Sequence, residues 1–318
     1  LNQWYDQDVA GNVSYSGTKE LWTWGRASSG MLGQNQPANA NYSSPVQIPG
    51  TTWATPIIAV GGGGSGVRAA LKTDGTLWSW GYNNQGALGQ NNKTYYSSPV
   101  QIPGTTWAGG AIGKSCQYQV KTDGTLWTWG QGTGGKLLQD SQTSYSSPRQ
   151  VPGTTWSGAF GKISAGENNQ VSLIKTDGTL WVGGKNDDGG EVGDNATISR
   201  SSPVQIPGSW SRVARGSSFG FAINSDGELY GLNQPHNTQI SSPTQIPGTT
   251  WSELARGGLT NMGAIKTDGT FWVWGQDEYG NLGENTPDTD KSSPVQLPGT
   301  TWHQVTGTNN GFFTIKEH

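Results

Sequence analysis

Two short motifs alternate along this chain six times, and no other feature restricts the fold so strongly. The first is the ten-residue unit Lys72 to Gly81, reading Lys-Thr-Asp-Gly-Thr-Leu-Trp-Ser-Trp-Gly. It recurs as Lys121 to Gly130, Lys175 to Gly184 and Lys266 to Gly275, with degraded copies at Gly17 to Gly25 and Asn224 to Asn233. The second is Ser97 to Trp107, reading Ser-Ser-Pro-Val-Gln-Ile-Pro-Gly-Thr-Thr-Trp, with counterparts starting at Ser43, Ser146, Ser201, Ser241 and Ser292. The first hairpin tryptophan, or its tyrosine substitute, falls at Trp22, Trp78, Trp127, Trp181, Tyr230 and Trp272. The intervals are 56, 49, 54, 49 and 42 residues, a mean of 50. Four-stranded propeller blades repeat every 40–50 residues or so. Paired helices of similar period are excluded, because Gly and Pro recur too often.

Each unit has a local physical reason. Asp-Gly between short apolar runs signals a hairpin, because tight turns need positive φ and glycine adopts it without steric cost. Thr76 to Gly81 is β-branched and aromatic with period two, so Trp78 and Trp80 share one face of a strand. Pro99 and Pro103 bracket Val100-Gln101-Ile102; proline lacks a ladder donor, which makes this a short edge strand or extended connector. Sheets packed radially have a neighbour on both faces, which explains apolar residues on both sides of one strand. A buried Trp hides roughly 150–250 Å², on the order of 4–6 kcal/mol as an upper bound. The expected core is therefore Trp22, Trp24, Trp78, Trp80, Trp127, Trp129, Trp181, Trp272 and Trp274. The expected fold is all-β: a single propeller of six four-stranded blades over residues 13–318, with residues 1–12 as an extension or attachment arm.

The ends suggest how the ring is sealed. Phe312 to Lys316 matches the strand before the Asp-Gly turn, and Lys19 to Gly25 matches the strand after it. Pairing of the N- and C-terminal segments would complete one blade and remove sheet edges; alternatively, Val13-Ser14-Tyr15-Ser16 supplies the strand. Two blades are irregular. One has Tyr230-Gly231-Leu232 in place of Trp-x-Trp, and the other has Gly183 in place of the second Trp. Local loosening is expected at both.

Composition narrows the function. The net charge is −3 and no long Lys/Arg run occurs, which argues against nucleic acid and against a membrane surface. No apolar stretch approaches the ~18–20 residues that span a bilayer, and no signal peptide is visible. Cys116 is the only cysteine; it reads as a half-buried strand residue, with a nucleophile as the rival. His236, His303 and His318 are scattered without metal-ligand spacing. Asp74, Asp123, Asp177 and Asp268 all sit in Asp-Gly turns, and no Gly-Lys-Ser/Thr follows the glycine strings. Asn186 to Glu191 is rich in oxygen ligands but lacks the spacing of a known calcium loop. These features predict no enzyme, no cofactor and no metal.

The string Trp80-Gly81 through Gly86-Ala87-Leu88-Gly89 resembles the signature of regulator-of-chromosome-condensation repeats. It returns as Trp24-Gly25 through Met31-Leu32-Gly33, and as Trp274-Gly275 through Gly280-Asn281-Leu282-Gly283. The resemblance extends over nearly the whole chain, although the eukaryotic founder has seven blades rather than six. That founder is a nucleotide-exchange factor that docks on chromatin; no insertion here resembles its GTPase-contacting wedge, and the acidic balance opposes chromatin. The near-identical units are similar to proteins of bacteriophages and environmental bacteria, which implies a virion component or surface adhesion module, located in a virion or at the cell surface. An intracellular regulator or protein-interaction scaffold is the alternative, with a cytoplasmic location. The expected partner is a protein or glycan, or other virion proteins, on the face of the variable loops. Candidate contacts are Tyr82, Asn83, Asn84, Gln85, Asp187, Asp188, Asp277, Glu278 and Tyr279.

Overall fold

The computed structural model describes residues 19–26, 28–36, 41–54, 66–166, 170–186, 190–217, 219–233, 242–256, 261–278, 280–285, 289–308 and 311–316. Residues 1–12, Val13 to Ser16, Asp187, Asp188 and Tyr279 lie outside them. Apart from two three-residue 3-10 turns, the regular structure is strand. The first sheet pairs β1 (Trp22–Gly25) with β2 (Tyr42–Gln47). The second holds β3 (Val67–Leu71), β4 (Leu77–Gly81) and β5 (Tyr96–Gln101), and Trp53 bridges to Lys72 beside it. Four sheets are complete. They are β6 (Trp107–Gly113) to β7 (Cys116–Lys121), β8 (Leu126–Gly130) and β9 (Tyr145–Gln150); β10 (Ile163–Ala165) to β11 (Gln170–Ile174), β12 (Leu180–Gly184) and β13 (Arg200–Ile206); β14 (Trp210–Arg215) to β15 (Gly220–Asn224), β16 (Leu229–Asn233) and β17 (Thr244–Ile246); and β18 (Trp251–Arg256) to β19 (Asn261–Lys266), β20 (Phe271–Gly275) and β21 (Lys291–Gln296). The seventh sheet pairs β22 (Trp302–Thr308) with β23 (Gly311–Lys316). All ladders are antiparallel between sequence neighbours.

The core lies between sheets. Val67, Leu71, Leu77 and Leu88 of the second sheet pack against Trp107, Ile112 and Trp129 of the third. Equivalent clusters join the first sheet to the second, the third to the fourth, and so on to the seventh. Inner strands touch in chain order: β3 with β6, β6 with β10, β10 with β14, β14 with β18, and β18 with β22. Backbone bonds stitch the same seams. Trp107 N–H donates to Gly75 O across 3.0 Å, and Trp53, Trp156, Trp210, Trp251 and Trp302 make the equivalent bond to the preceding sheet. Small sheets stacked radially in this way form a β-propeller.

The second hairpin tryptophan is the wedge of three seams: Trp80, Trp129 and Trp274. Trp129 is fully buried, and its Nε1–H donates to Ala87 O of the preceding sheet's loop across 2.9 Å. Trp80 donates to Met31 O across 3.0 Å in the same way. The loop makes room with a glycine: a Cβ on Gly89 would lie 2.9 Å from Trp129 Nε1, and one on Gly33 equally close to Trp80 Nε1. The glycine of each Trp-Gly pair has another duty. Gly81, Gly130 and Gly275 have φ of 97°, 103° and 113°, and at each the register with the outer strand shifts by a bulge.

The irregular blades are refilled rather than loosened, which corrects the sequence expectation. Gly183 replaces the wedge in the fourth sheet, and Leu138 takes the place of the seat glycine opposite it. A Cβ on Gly183 would stand 2.4 Å from Leu138 Cδ2, and Leu138 is 1% exposed despite a φ of 58°. The carbonyl left by the missing indole, Lys136 O, accepts from Tyr118 OH at 2.8 Å. In the fifth sheet Leu232 replaces the wedge, and Arg215 supplies the donors. Its Nη1 reaches Glu191 O at 2.6 Å, Nη2 reaches Val192 O at 2.8 Å, and Nε reaches Ser172 Oγ at 2.7 Å. Burial lowers the Arg215 pKa to about 10, against the opposing pull of Glu191 and Asp194.

One expectation about the ends is corrected. Trp22 and Trp24 are 48% and 61% exposed: in the other sheets the counterpart of Trp22 packs on the first-strand tryptophan and second-strand lysine of its own sheet, as Trp127 does on Trp107 and Lys121, and the first sheet has only two described strands. The first and seventh sheets stand as separate two-stranded units, and the ladders of the described residues do not include pairing between the chain ends. The remaining hairpin tryptophans divide by position: Trp80, Trp129 and Trp274 are buried, whereas Trp78, Trp127, Trp181 and Trp272 are half-buried.

Trp129→Ala is expected to cost about 3–5 kcal/mol, as a large-to-small change at a packed seam; chemical denaturation reads it directly. Leu138 and Gly183 generate a sharper test. Gly183→Trp alone overpacks the fourth sheet and is expected to cost about 1–3 kcal/mol or more, and Leu138→Gly alone leaves a void costing about 2–5 kcal/mol. The double variant restores the wedge-and-seat pair and should recover most of both losses; additive losses would refute the compensation.

Candidate functional surface

The up-and-down strand order gives the ring two rims. One carries the Asp-Gly turns and the Pro-Gly-Thr-Thr connectors. The other carries the turns between first and second strands and the long loops between third and fourth strands.

The Asp-Gly rim is spent on its own structure. Lys121 Nζ sits 5.0 Å from the Trp107 ring centroid and 4.6 Å from that of Trp127, a cation held between two indole faces. Lys72, Lys175 and Lys266 repeat the clamp. Below it, Trp127 Nε1–H donates to Thr125 Oγ1 (2.9 Å), and Thr125 Oγ1–H donates to Asp123 Oδ1 (2.7 Å). The Thr hydroxyl, then the Thr backbone N–H, hold Asp74, Asp123, Asp177 and Asp268 below the usual carboxylate range. Every carboxylate of this set already has its partners, so these aspartates are turn braces.

The loop rim divides into pins and free side chains. Asn83 is fully buried: its Nδ2 donates to Asn92 O (3.1 Å) and Thr94 O (2.9 Å), and its Oδ1 accepts from Leu88 N–H (2.9 Å). Asn186 does the same with Ala196 O, Ile198 O and Val192 N–H. Asp277 accepts from Leu282 N–H at 2.8 Å and is also fully buried. Asn83 and Asp277 are therefore corrected from candidate contacts to loop pins: one short side chain closes the Trp-Gly-to-Leu-Gly loop from inside. Of the other candidates, Tyr82, Asn84 and Gln85 are half-buried on the rim, and Glu278 is exposed.

Sequence reasoning missed Tyr95 and Ile198. Tyr95 is 46% exposed and pairs with Tyr82 at 5.0 Å between ring centroids, and Ile198 is 61% exposed on the corresponding loop two sheets on. Both lie in the short non-repeating stretch just before the second motif, and that break in repetition is the signal that could have found them. Desolvation, then the bond to Tyr82, raises the Tyr95 hydroxyl above the usual phenol range.

Other chemistry is confined. Cys116 is fully buried, with Sγ 3.5 Å from Tyr118 OH, and burial pushes its thiol up against the pull of Lys136; it is a packed strand residue. Among the described residues no three His, Cys, Asp or Glu side chains gather as a metal site, and no helix is long and apolar enough to cross a membrane.

Comparison with known proteins places this geometry. The model of the regulator of chromosome condensation (RCC1) repeat matches residues 74–108, which run from the Asp-Gly turn of the second sheet to the start of the third. Among solved structures, Prp20p from Saccharomyces cerevisiae, studied with its binding properties to Gsp1p and histones, aligns with a TM-score of 0.73 at 19% identity, over 94% of this chain and 79% of that one. The yeast RCC1 (Prp20) bound by Kap60 gives 0.72 at 18%, over 94% and 77%. Human WBSCR16 gives 0.71 at 19%, over 93% and 81%. At such identities the likeness speaks for architecture, and it agrees with the repeat match: the fold is an RCC1-like repeat propeller.

Proposed function

We propose that this chain is a non-catalytic protein-interaction propeller that docks a protein partner on its loop rim, as a scaffold or regulator. The observation that carries the reading is the division of labour between the rims. The Asp-Gly rim uses its charges internally, whereas the loop rim presents the Tyr82–Tyr95 ring pair and Ile198 to solvent. Tyrosine suits such a role, because it supplies large amphipathic contact area at low entropy cost. The likeness to Prp20p, whose reported partners are proteins, supports this class of partner. Nothing in the comparisons favours the virion or adhesion role, so the scaffold reading takes its place.

A narrower reading, nucleotide exchange on a small GTPase, draws on the same likeness. It is tested by GDP release from purified Gsp1p: acceleration by substoichiometric amounts of this chain would establish it, and an unchanged release rate would remove it.

The broader proposal is tested by site-specific photocrosslinking in cells expressing the full chain. A photoreactive residue at position 95 should yield a discrete protein adduct, and one at Asp123 on the opposite rim should not. With the photoreactive residue moved to position 198, Tyr82→Ala with Tyr95→Ala should weaken capture about tenfold or more, the scale of an aromatic hot spot. No adduct from the loop rim, or equal labelling from both rims, would overturn it.

A further inference from the structure

We propose, against the sequence expectation of no metal, that the loop between β20 and β21 binds a hard divalent cation, calcium rather than magnesium, on the carboxylates of Asp277 and Asp290. The repeats supply the comparison. In the second sheet's loop the pin is an amide, and Asn83 Nδ2 donates to the carbonyls of Asn92 and Thr94 at 3.1 and 2.9 Å. Asn186 Nδ2 donates likewise to Ala196 O and Ile198 O at 2.8 and 3.3 Å. In the sixth sheet Asp277 takes that place. Its Oδ1 keeps the acceptor half of the pin, taking the Leu282 N–H at 2.8 Å. Its Oδ2, as a carboxylate oxygen, can only accept. Asp277 is fully buried, and Oδ2 has no hydrogen-bond partner among the described residues. Set before the carbonyls that an amide serves, such an oxygen would be repelled.

A second replacement adds charge at the same spot. The backbone N–H of the pin is capped by the residue just before the outer strand. Asn186 N–H donates to the Ser199 hydroxyl at 3.0 Å, whereas Asp277 N–H donates to Asp290 Oδ1 at 3.0 Å. An amide and a hydroxyl in one repeat are thus two carboxylates in another, joined by one hydrogen bond.

The added charge lacks an answering cation. The fourth sheet's loop is also acidic, but Arg200 pairs with Asp194, and Arg215 interacts with Glu191 and Asp194. In the sixth, Lys291 stands where Arg200 does and is paired with Glu284 at 3.3 Å. Positions 277–290 carry five carboxylates and no lysine or arginine. Among the described residues no ion pair reaches Asp277 or Asp290. A buried carboxylate oxygen with neither donor nor counter-ion is strongly unfavourable.

A cation is attracted by carboxylates and carbonyls alike. Calcium accepts roughly six to eight oxygens from carboxylates, carbonyls and water in flexible geometry, whereas magnesium demands a near-ideal octahedron. An irregular loop with two carboxylates suits calcium, with backbone oxygens and water completing the shell. So few charged ligands place the site in the weak class, with a Kd of about 0.1–1 mM.

Titration calorimetry and thermal melts of the full chain, stripped with EDTA and dialysed at neutral pH, test the site. Calcium chloride should bind with a single class of site, and about 10 mM should raise the Tm by about 2–4 °C; magnesium chloride should do much less. Asp277→Asn installs the amide found at Asn83 and Asn186, so this variant should fold with a metal-free Tm at or above that of the unaltered chain, and calcium should no longer shift it. Asp290→Ser, the counterpart of Ser199, should weaken binding about tenfold and keep the fold. Absence of a binding heat in the unaltered chain would overturn the proposal. So would a calcium response retained by Asp277→Asn, which would place the ion on other carboxylates. A Tm that ignores calcium but rises on mild acidification would assign the place to a proton and overturn it as well.

Discussion

The structure depends on one indole seated in the loop of the blade before it. The contact combines three requirements that each constrain the sequence. The ring must be large enough to fill the gap between twisted sheets, its N–H must reach a backbone carbonyl, and the loop must lack a side chain where the ring arrives. Trp129 with Ala87 O and Gly89 meets all three. A buried indole N–H without an acceptor would cost about 1–3 kcal/mol, so ring, carbonyl and glycine have to change together. The fourth sheet shows this: Gly183 and Leu138 exchange large for small across the seam, and Tyr118 OH takes over the orphaned carbonyl. In the fifth, a buried guanidinium replaces the indole donor and brings carboxylates near it to offset its charge.

Much of this was legible in the sequence because the determinants are local. The Asp-Gly turn, the period-two Trp-x-Trp strand and the 50-residue spacing follow from backbone sterics and side-chain periodicity, and they suffice for blade and propeller. What escaped were properties set across a seam. Leu138 looks like an ordinary loop leucine until it is placed opposite Gly183. Trp22 and Trp24 read as core because their motif is core elsewhere; exposure is decided by the neighbour, and their own residues carry no record of it. Asn83 and Asp277 looked like solvent-facing polar loop residues, yet a short amide or carboxylate is also what a tight loop needs to satisfy its inward N–H and C=O groups.

That ambiguity bears on how a binding surface is found in a repeat protein. Residues that recur in every blade are committed to fold, including polar ones: Thr125 and Asp123 serve Trp127, and Lys121 is held between indoles. Recognition has to come from positions the repeat leaves free. Here those are the few residues between the loop pin and the outer strand, where Tyr95 and Ile198 stand. Mean exposure alone would not separate them from the braces of the opposite rim, whose aspartates are also exposed; what separates them is whether a side chain already has partners.

The low charge of the chain fits the same logic. With 13% charged residues, long-range steering of a partner is weak, and association relies on short-range contact and shape. A rigid ring favours that mode, because loops anchored at both ends and pinned from inside lose little entropy on binding. The pins are therefore more than loop fillers. By closing the loops of the second, fourth and sixth sheets around one buried amide or carboxylate, they fix the direction in which the next free side chains point, so the geometry of the rim is inherited from the same seams that hold the blades together.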